Sequence, residues 1–320
     1  MKKIQLIAGL GVLALALSAC NTSATANDQS DGELSIGVLP GGIDVVLETG
    51  IDEGFFEDEG LELNITRLDS GPSIINGVVA GEFEAGWAGT PPILQAVDGG
   101  ADIVAVAGAT RAVDEGQQGV VVTDPEITTY KDLEGKVVGT NAPRSVVSLA
   151  VLESIRKDGG DPTAVELVPI PLAQSVSAIQ DGQVDAAVVV QSRMKPALAA
   201  DDQLVYIGDP NVEAFGLGSV NDMFFTSGDA VDSGKEDLQS FRKGLLKTYD
   251  FINSMSDDEW LKTFGEGLEL PEDQWDDQTK FDLLMDVDQE HLESFNEALL
   301  AHEWISEEIE TDEFTSFIND

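Results

Sequence analysis

The run Thr140-Asn141-Ala142-Pro143-Arg144-Ser145 carries the most pointed chemistry in the chain. Val146, Leu149, Leu152 and Ile155 follow it at helical spacing, so it opens a helix. A helix start offers unpaired backbone N–H groups and the positive end of the dipole, which together favour an anion. Asn141 and Ser145 add side-chain donors. Arg144 has two roles open to it: a paired grip on sulfonate or carboxylate oxygens, or a solvent-facing contact with one of the chain's many acids. Other loops add polar or small residues. Gly41 and Gly42 allow a close backbone approach or a plain turn. Ser70 can meet a ligand or cap the following helix. Thr90 lies between Gly89 and Pro91 and reads as a ligand contact, and Gln117 and Gln191 are further polar contacts. All of this is recognition chemistry. The single cysteine is Cys20, and His291 and His302 lie in helical segments among acids. No nucleophile–base pair, phosphate loop or metal-ligand cluster stands out, so no catalytic residue, metal or cofactor is expected.

These residues sit where strands hand over to helices. Strands are predicted at 34–39, 61–68, 83–88, 103–107, 119–122, 136–139, 165–170, 186–190 and 222–226, and helices at 44–53, 73–80, 93–97, 145–157 and 173–181. Ala186–Val190 is wholly apolar, as at the centre of a buried sheet. Alternating strand and helix implies α/β architecture with a mostly parallel sheet. Ligands of such sheets sit beyond the carboxyl ends of the strands. The last third turns helical: Leu238, Phe241, Leu245, Tyr249 and Ile252 share one face of a helix at 235–255, and more helices are predicted around Trp260, at 283–300 and at 304–309. The aromatic residues here read as core anchors.

With 60 acidic and 17 basic residues, the chain has a formal net charge of −43. That repels nucleic acid, which is excluded as a partner. The acids are spread along the sequence as a solvated surface, and a salt-rich habitat that screens them is the favoured cause. Lys2 and Lys3, an apolar run from Ile4 to Leu17, and Ser18-Ala19 before Cys20 make a secretory leader over 1–19. The run is shorter than the ~20 residues of a membrane span. Residues 20–32 are polar and small, a tether. The remainder is long enough for two domains.

Leu17-Ser18-Ala19-Cys20 resembles the bacterial lipobox, which implies a lipid on Cys20 and an extracytoplasmic, membrane-anchored protein. The later segments resemble solute-binding proteins of ABC importers in the nitrate/sulfonate/taurine branch. The resemblance rests on Gly54-Phe55-Phe56-Glu57-Asp58-Glu59-Gly60-Leu61-Glu62-Leu63, Asp69-Ser70-Gly71, Val79-Ala80-Gly81-Glu82-Phe83-Glu84-Ala85, Gly89-Thr90-Pro91-Pro92, Asp132-Leu133-Glu134-Gly135-Lys136-Val137-Val138 and Gly182-Gln183-Val184-Asp185-Ala186-Ala187. It implies a two-lobe periplasmic-binding-protein type II fold with two hinge-crossing strands and a helical C-terminal region. Lobe I takes 33–122 plus 221–320 and lobe II takes 123–220. A small anionic or zwitterionic solute of sulfonate, taurine or nitrate type is held in the cleft of a monomer, which then meets a permease and its ATPase. Relatives carry a tryptophan near Gln191, which this chain lacks. Asp222 lies at the return crossing, either as a partner for a ligand amine or as a hinge acid. Two alternatives stand beside this: a binder of a pyrimidine or thiamin precursor, with Trp87 or Phe224 for stacking, and a ligand-sensing lipoprotein without transport. Enzyme activity is not expected.

Overall fold

A computed structural model describes residues 32–111, 116–278 and 280–319. The leader, Cys20 and the tether up to residue 31 lie outside the described residues. The chain begins β1 (Glu33–Val38), α1 (Ile43–Asp52), β2 (Glu62–Arg67), α2 (Gly71–Val79), β3 (Ala85–Gly89), α3 (Thr90–Asp98), β4 (Ile103–Gly108) and a short β5 (Thr110–Arg111). It continues with β6 (Gln118–Val122), β7 (Val137–Thr140), α4 (Val146–Lys157), β8 (Glu166–Pro169), α5 (Ser175–Gln180), β9 (Ala186–Val190), α6 (Gln191–Ala200), β10 (Val205–Gly208) and α7 (Pro210–Phe215). It ends with β11 (Asp222–Ser227), α8 (Gly228–Ser254), α9 (Asp257–Gly267), β12 (Asp282–Leu283), α10 (Gln289–Ala301), α11 (Thr311–Phe314) and α12 (Ser316–Asn319).

Among the described residues two five-stranded sheets result, ordered β2-β1-β3-β11-β4 and β10-β6-β9-β7-β8, with a small antiparallel pair β12-β5 beside them. The apolar β9 takes the middle of the second, as its composition predicts. Each five-stranded sheet is mostly parallel, as expected, with a single reversed strand. β11 runs antiparallel to β3 and β4, and β6 runs antiparallel to β9 and β10. The cause is the crossing. A strand that enters a sheet from the side of its carboxyl ends must run against the others. Asp222 therefore pairs with Gly89 at the end of β3, and Gln118 pairs with Val190 at the end of β9. The starts of both crossing strands thus stand beside the strand ends where ligands of such sheets sit.

One face of the first sheet buries Ile36, Val46, Phe224, Phe241 and Trp260, from β1, α1, β11, α8 and α9. The other buries Ile74, Ile93, Met223 and Phe295 together with Leu149 and Phe215, which belong to α4 and α7. Phe215 and Phe295 stack with ring centroids 4.0 Å apart. The helices of the second sheet thus share an apolar core with α10.

Several details depart from the sequence expectations: β6, inside the 33–122 bound expected for lobe I, lies in the second sheet, β10 and α7 were not expected, and the helix expected at 283–300 begins only at Gln289, after β12. α8 starts earlier than Lys235, and its helical geometry breaks at Gly234 (φ −137°, ψ 31°), so the amphipathic part begins where its pattern does. The helix expected at 304–309 is absent: this stretch is a turn, with Glu303 left-handed at φ 56° and the next helix at Thr311–Phe314. α6 contains Pro196 and buries only Met194, which left no apolar stripe to announce it.

Candidate ligand-binding site

A cavity of about 730 Å³ opens between elements of the two sheets. Its walls include Ser70, Gly71 and Pro72 at the start of α2, Gly89 and Pro92 at the start of α3, and Asn141 to Val147 at the start of α4. Leu39, Ile75, Ala96 and Ala142 make much of the rest apolar. Ser145 caps α4, its Oγ accepting the Ser148 amide at 3.2 Å, and Ser145 Oγ donates to Asn141 Oδ1 at 2.9 Å. Ser70 caps α2, accepting from the Ser73 amide at 3.3 Å. The amides of Gly71, Val146 and Val147 occupy first-turn positions with no intrahelical acceptor. Two helix starts therefore face one cavity with donors and positive dipole ends. α3 contributes no such amide: Thr90 N donates to Asn221 O at 2.9 Å, and Pro91 and Pro92 have none.

Arg144 lines the cavity from a left-handed backbone position, φ 58°. Its Nε donates to Gln95 Oε1 at 2.6 Å and one terminal nitrogen donates to Trp304 O at 2.7 Å. The guanidinium carbon lies 5.2 Å from the Trp304 ring centroid. Asp69 is the one acid among the wall residues.

The structure thus brings Ser70, Asn141, Arg144 and Ser145 to one cavity and sets the other expected residues elsewhere. Gly41 and Gly42 carry φ of 125° and 145°, backbone that favours glycine. Their amides donate to Asp44 Oδ1 at 3.1 and 2.9 Å, so the turn is closed on itself. Burial raises the Asp44 carboxyl, but those amides and Arg67 outweigh it and hold the group below the ordinary range. Thr90 is fully buried and its hydroxyl donates to Val220 O at 2.8 Å, a stitch to the return crossing rather than a ligand contact. Gln117 and Gln191 line a second space of about 360 Å³ with Lys195, Trp260 and Lys280.

Asp222 is half-buried and lines neither space. Oδ1 accepts from Trp87 Nε1 at 3.1 Å and from the Thr110 amide at 2.9 Å, and Oδ2 accepts from Thr110 Oγ1 at 2.6 Å. Burial pushes its carboxyl up to about 6, against those hydrogen bonds. The network ties the start of β11 to β3 and β5. Phe224 is fully buried in the core and cannot stack on a ligand. His302, at the end of α10, meets Glu153 at 3.2 Å, which also binds Arg156. Sequence reasoning missed Gln95 and Trp304 as partners of Arg144. No local signal links residues so far apart in the chain. Among the described residues, no group of three or more His, Cys, Asp or Glu is placed to hold a metal ion.

A family model described as NMT1/THI5 like matches residues 47–257, about two thirds of the chain. The chain belongs to this family. A relative from Halalkalibacterium halodurans, named formylaminopyrimidine-binding protein, is 22% identical over 347 residues, covering 100% of both chains. The periplasmic aliphatic sulphonate binding protein SsuA from Escherichia coli has a similar structure, with a TM-score of 0.69 at 17% identity over 89% of this chain and 92% of that one. The alkanesulfonate-binding protein SsuA from Xanthomonas axonopodis pv. citri, solved bound to MOPS, gives a TM-score of 0.66 at 18% identity over 88% and 96%. The fold shared by this chain and these neighbours is that of periplasmic binding proteins.

Proposed function

We propose that this chain is the solute-binding component of an ABC importer, and that its solute is an organic anion with an apolar body, of the aliphatic sulfonate class. One observation carries the reading: the starts of α2 and α4, with unpaired amides, open on the same largely apolar cavity. Helix starts take the charged head and apolar walls take the body, in the usual division of a small-molecule site. The sulfonate binders that share the fold support the class. A cavity of about 730 Å³ is generous for nitrate. Taurine fits less well than its longer relatives, because Asp222 stands outside this cavity and its oxygens already hold Trp87 and Thr110. The two lobes act as jaws, hinged where the reversed strands β6 and β11 enter their sheets. The likeness of Leu17-Ser18-Ala19-Cys20 to a lipobox supports an extracytoplasmic protein anchored by lipid on Cys20.

A second reading is a pyrimidine-type ligand. The relative named for formylaminopyrimidine favours it, as does the part-exposed Trp87 beside the Asp222 carboxylate. Titration calorimetry with a series of linear alkanesulfonates, taurine, nitrate and formylaminopyrimidine decides between them. The sulfonate reading expects affinity to rise about fourfold per added methylene, from ~0.8 kcal/mol for each one buried. Binding of the pyrimidine with no response to any sulfonate would overturn it.

A further inference from the structure

Arg144 has more holding it than an exposed arginine needs. Its backbone is left-handed at φ 58°, a conformation that costs a non-glycine residue energy and persists only where the surroundings impose it. Three contacts impose it: Gln95 Oε1, Trp304 O, and the face of the Trp304 indole. All three come from outside the 141–145 loop, on α3 and on the turn after α10. Each partner is itself fixed. Gln95 Nε2 donates to Pro91 O at 3.1 Å, which orients its Oε1 toward the arginine. The turn that carries Trp304 is left-handed at Glu303 and is anchored one residue earlier, where His302 meets Glu153 of α4 at 3.2 Å. The guanidinium donates only two of its five N–H bonds to these partners, so three remain for a ligand oxygen at the cavity rim.

We infer that Gln95 and Trp304 are positioning residues that hold Arg144 at the cavity rim and so set the site's preference for anionic over neutral head groups. The inference rests on the proposed organic-anion solute and adds the device that reads its charge. A guanidinium left to wander on a loop loses affinity to ordering its side chain, whereas one already oriented does not. Arg144 supplies the charge. Trp304 supplies no contact with the ligand, as it is not among the wall residues.

The test has two arms on the full-length mature protein. In ligand-free protein, arginine Nε–H nitrogen–proton correlation spectra should show Arg144 with an upfield ring-current shift and slow solvent exchange. Trp304→Phe should retain this signature and Trp304→Ala should lose it. In the binding arm, hexanesulfonate and the uncharged hexanol are titrated. Trp304→Ala and Gln95→Ala should each weaken hexanesulfonate about tenfold, the order expected of a lost cation–π contact or charged hydrogen bond, and Trp304→Ala, which removes no wall residue, should leave hexanol unchanged. Trp304→Phe should recover most of the loss. Equal weakening of both ligands would make Trp304 merely structural and overturn the inference. So would an Arg144 resonance indifferent to Trp304→Ala. Wild-type protein that shows the Arg144 signature yet binds no alkanesulfonate would refute the solute class instead, and with it the anion that Arg144 is held to read.

Discussion

Val146→Pro is the substitution that interrogates the α4 start most directly. Val146 is the first helical residue of α4, where proline fits: its fixed φ is already helical and its N–H has no intrahelical acceptor to lose. Ser145 before it is extended at φ −86° and ψ 169°, as a residue preceding proline must be. The helix therefore keeps its hydrogen bonds while the cavity loses one donor. A hydrogen bond to a charged group is worth ~1.5–3 kcal/mol, which is roughly a 10- to 150-fold loss of affinity for the anion. Val146 also packs against the core that holds Ile93 and Leu149, so Val146→Ala serves as the control for lost side-chain volume. Calorimetric titration with hexanesulfonate then compares the two variants, and thermal melting checks that both remain folded. Equal affinities for Val146→Pro and Val146→Ala, with intact melting curves, would show that this amide never touches the anion.

Three further outcomes follow from charged groups. The Asp222 carboxyl is held up at about 6, so its ionisation costs stability as pH rises from ~4 to ~6. Asp222→Asn should therefore gain in melting temperature relative to wild type between pH 4 and pH 7. The gain is about 1–2 kcal/mol after discounting for partial exposure, and a gap that does not move with pH would count against it. Glu153 is buried, which raises its carboxyl, yet the bonds from Arg156 and His302 bring it below the ordinary range. Its contribution is present above the unfolded value of ~4.3 and is lost as pH falls through the lower folded value. Glu153→Gln should melt below wild type at pH 7, by the order of 2 kcal/mol, with the gap closing in acid. A chain of net charge −43 should melt higher in molar salt than in ~0.01 M salt, where repulsion reaches ~30 Å, and a flat response would argue against screening as the reason for its acidity.

The strands and the buried helices were legible because their apolar periods are strong and local. β9 is one example, and α4, with Ser145 as its cap, is another. The part of the site built on α4 and α2 was legible for the same reason: a capped helix start is a signal within a few residues. The rest depends on partners far away in sequence. Asp44 gathers the Gly41 and Gly42 amides because Arg67 on β2 neutralises it. Thr90 is sealed by the carbonyl of Val220, and Arg144 is fixed by Trp304, 160 positions later. α6 and β10 went unread because a helix with an internal proline and a short strand at a sheet edge bury too little to impose a pattern, and α7 because its six residues, though mostly buried, are too few to show a helical period.

The stacked rings of Phe215 and Phe295 bear on how a solute gets in. Parting the halves at that seam would wet two large apolar faces, at ~25 cal/mol for each Å² uncovered. Entry is cheaper if the molecule swings like a door hung on this edge.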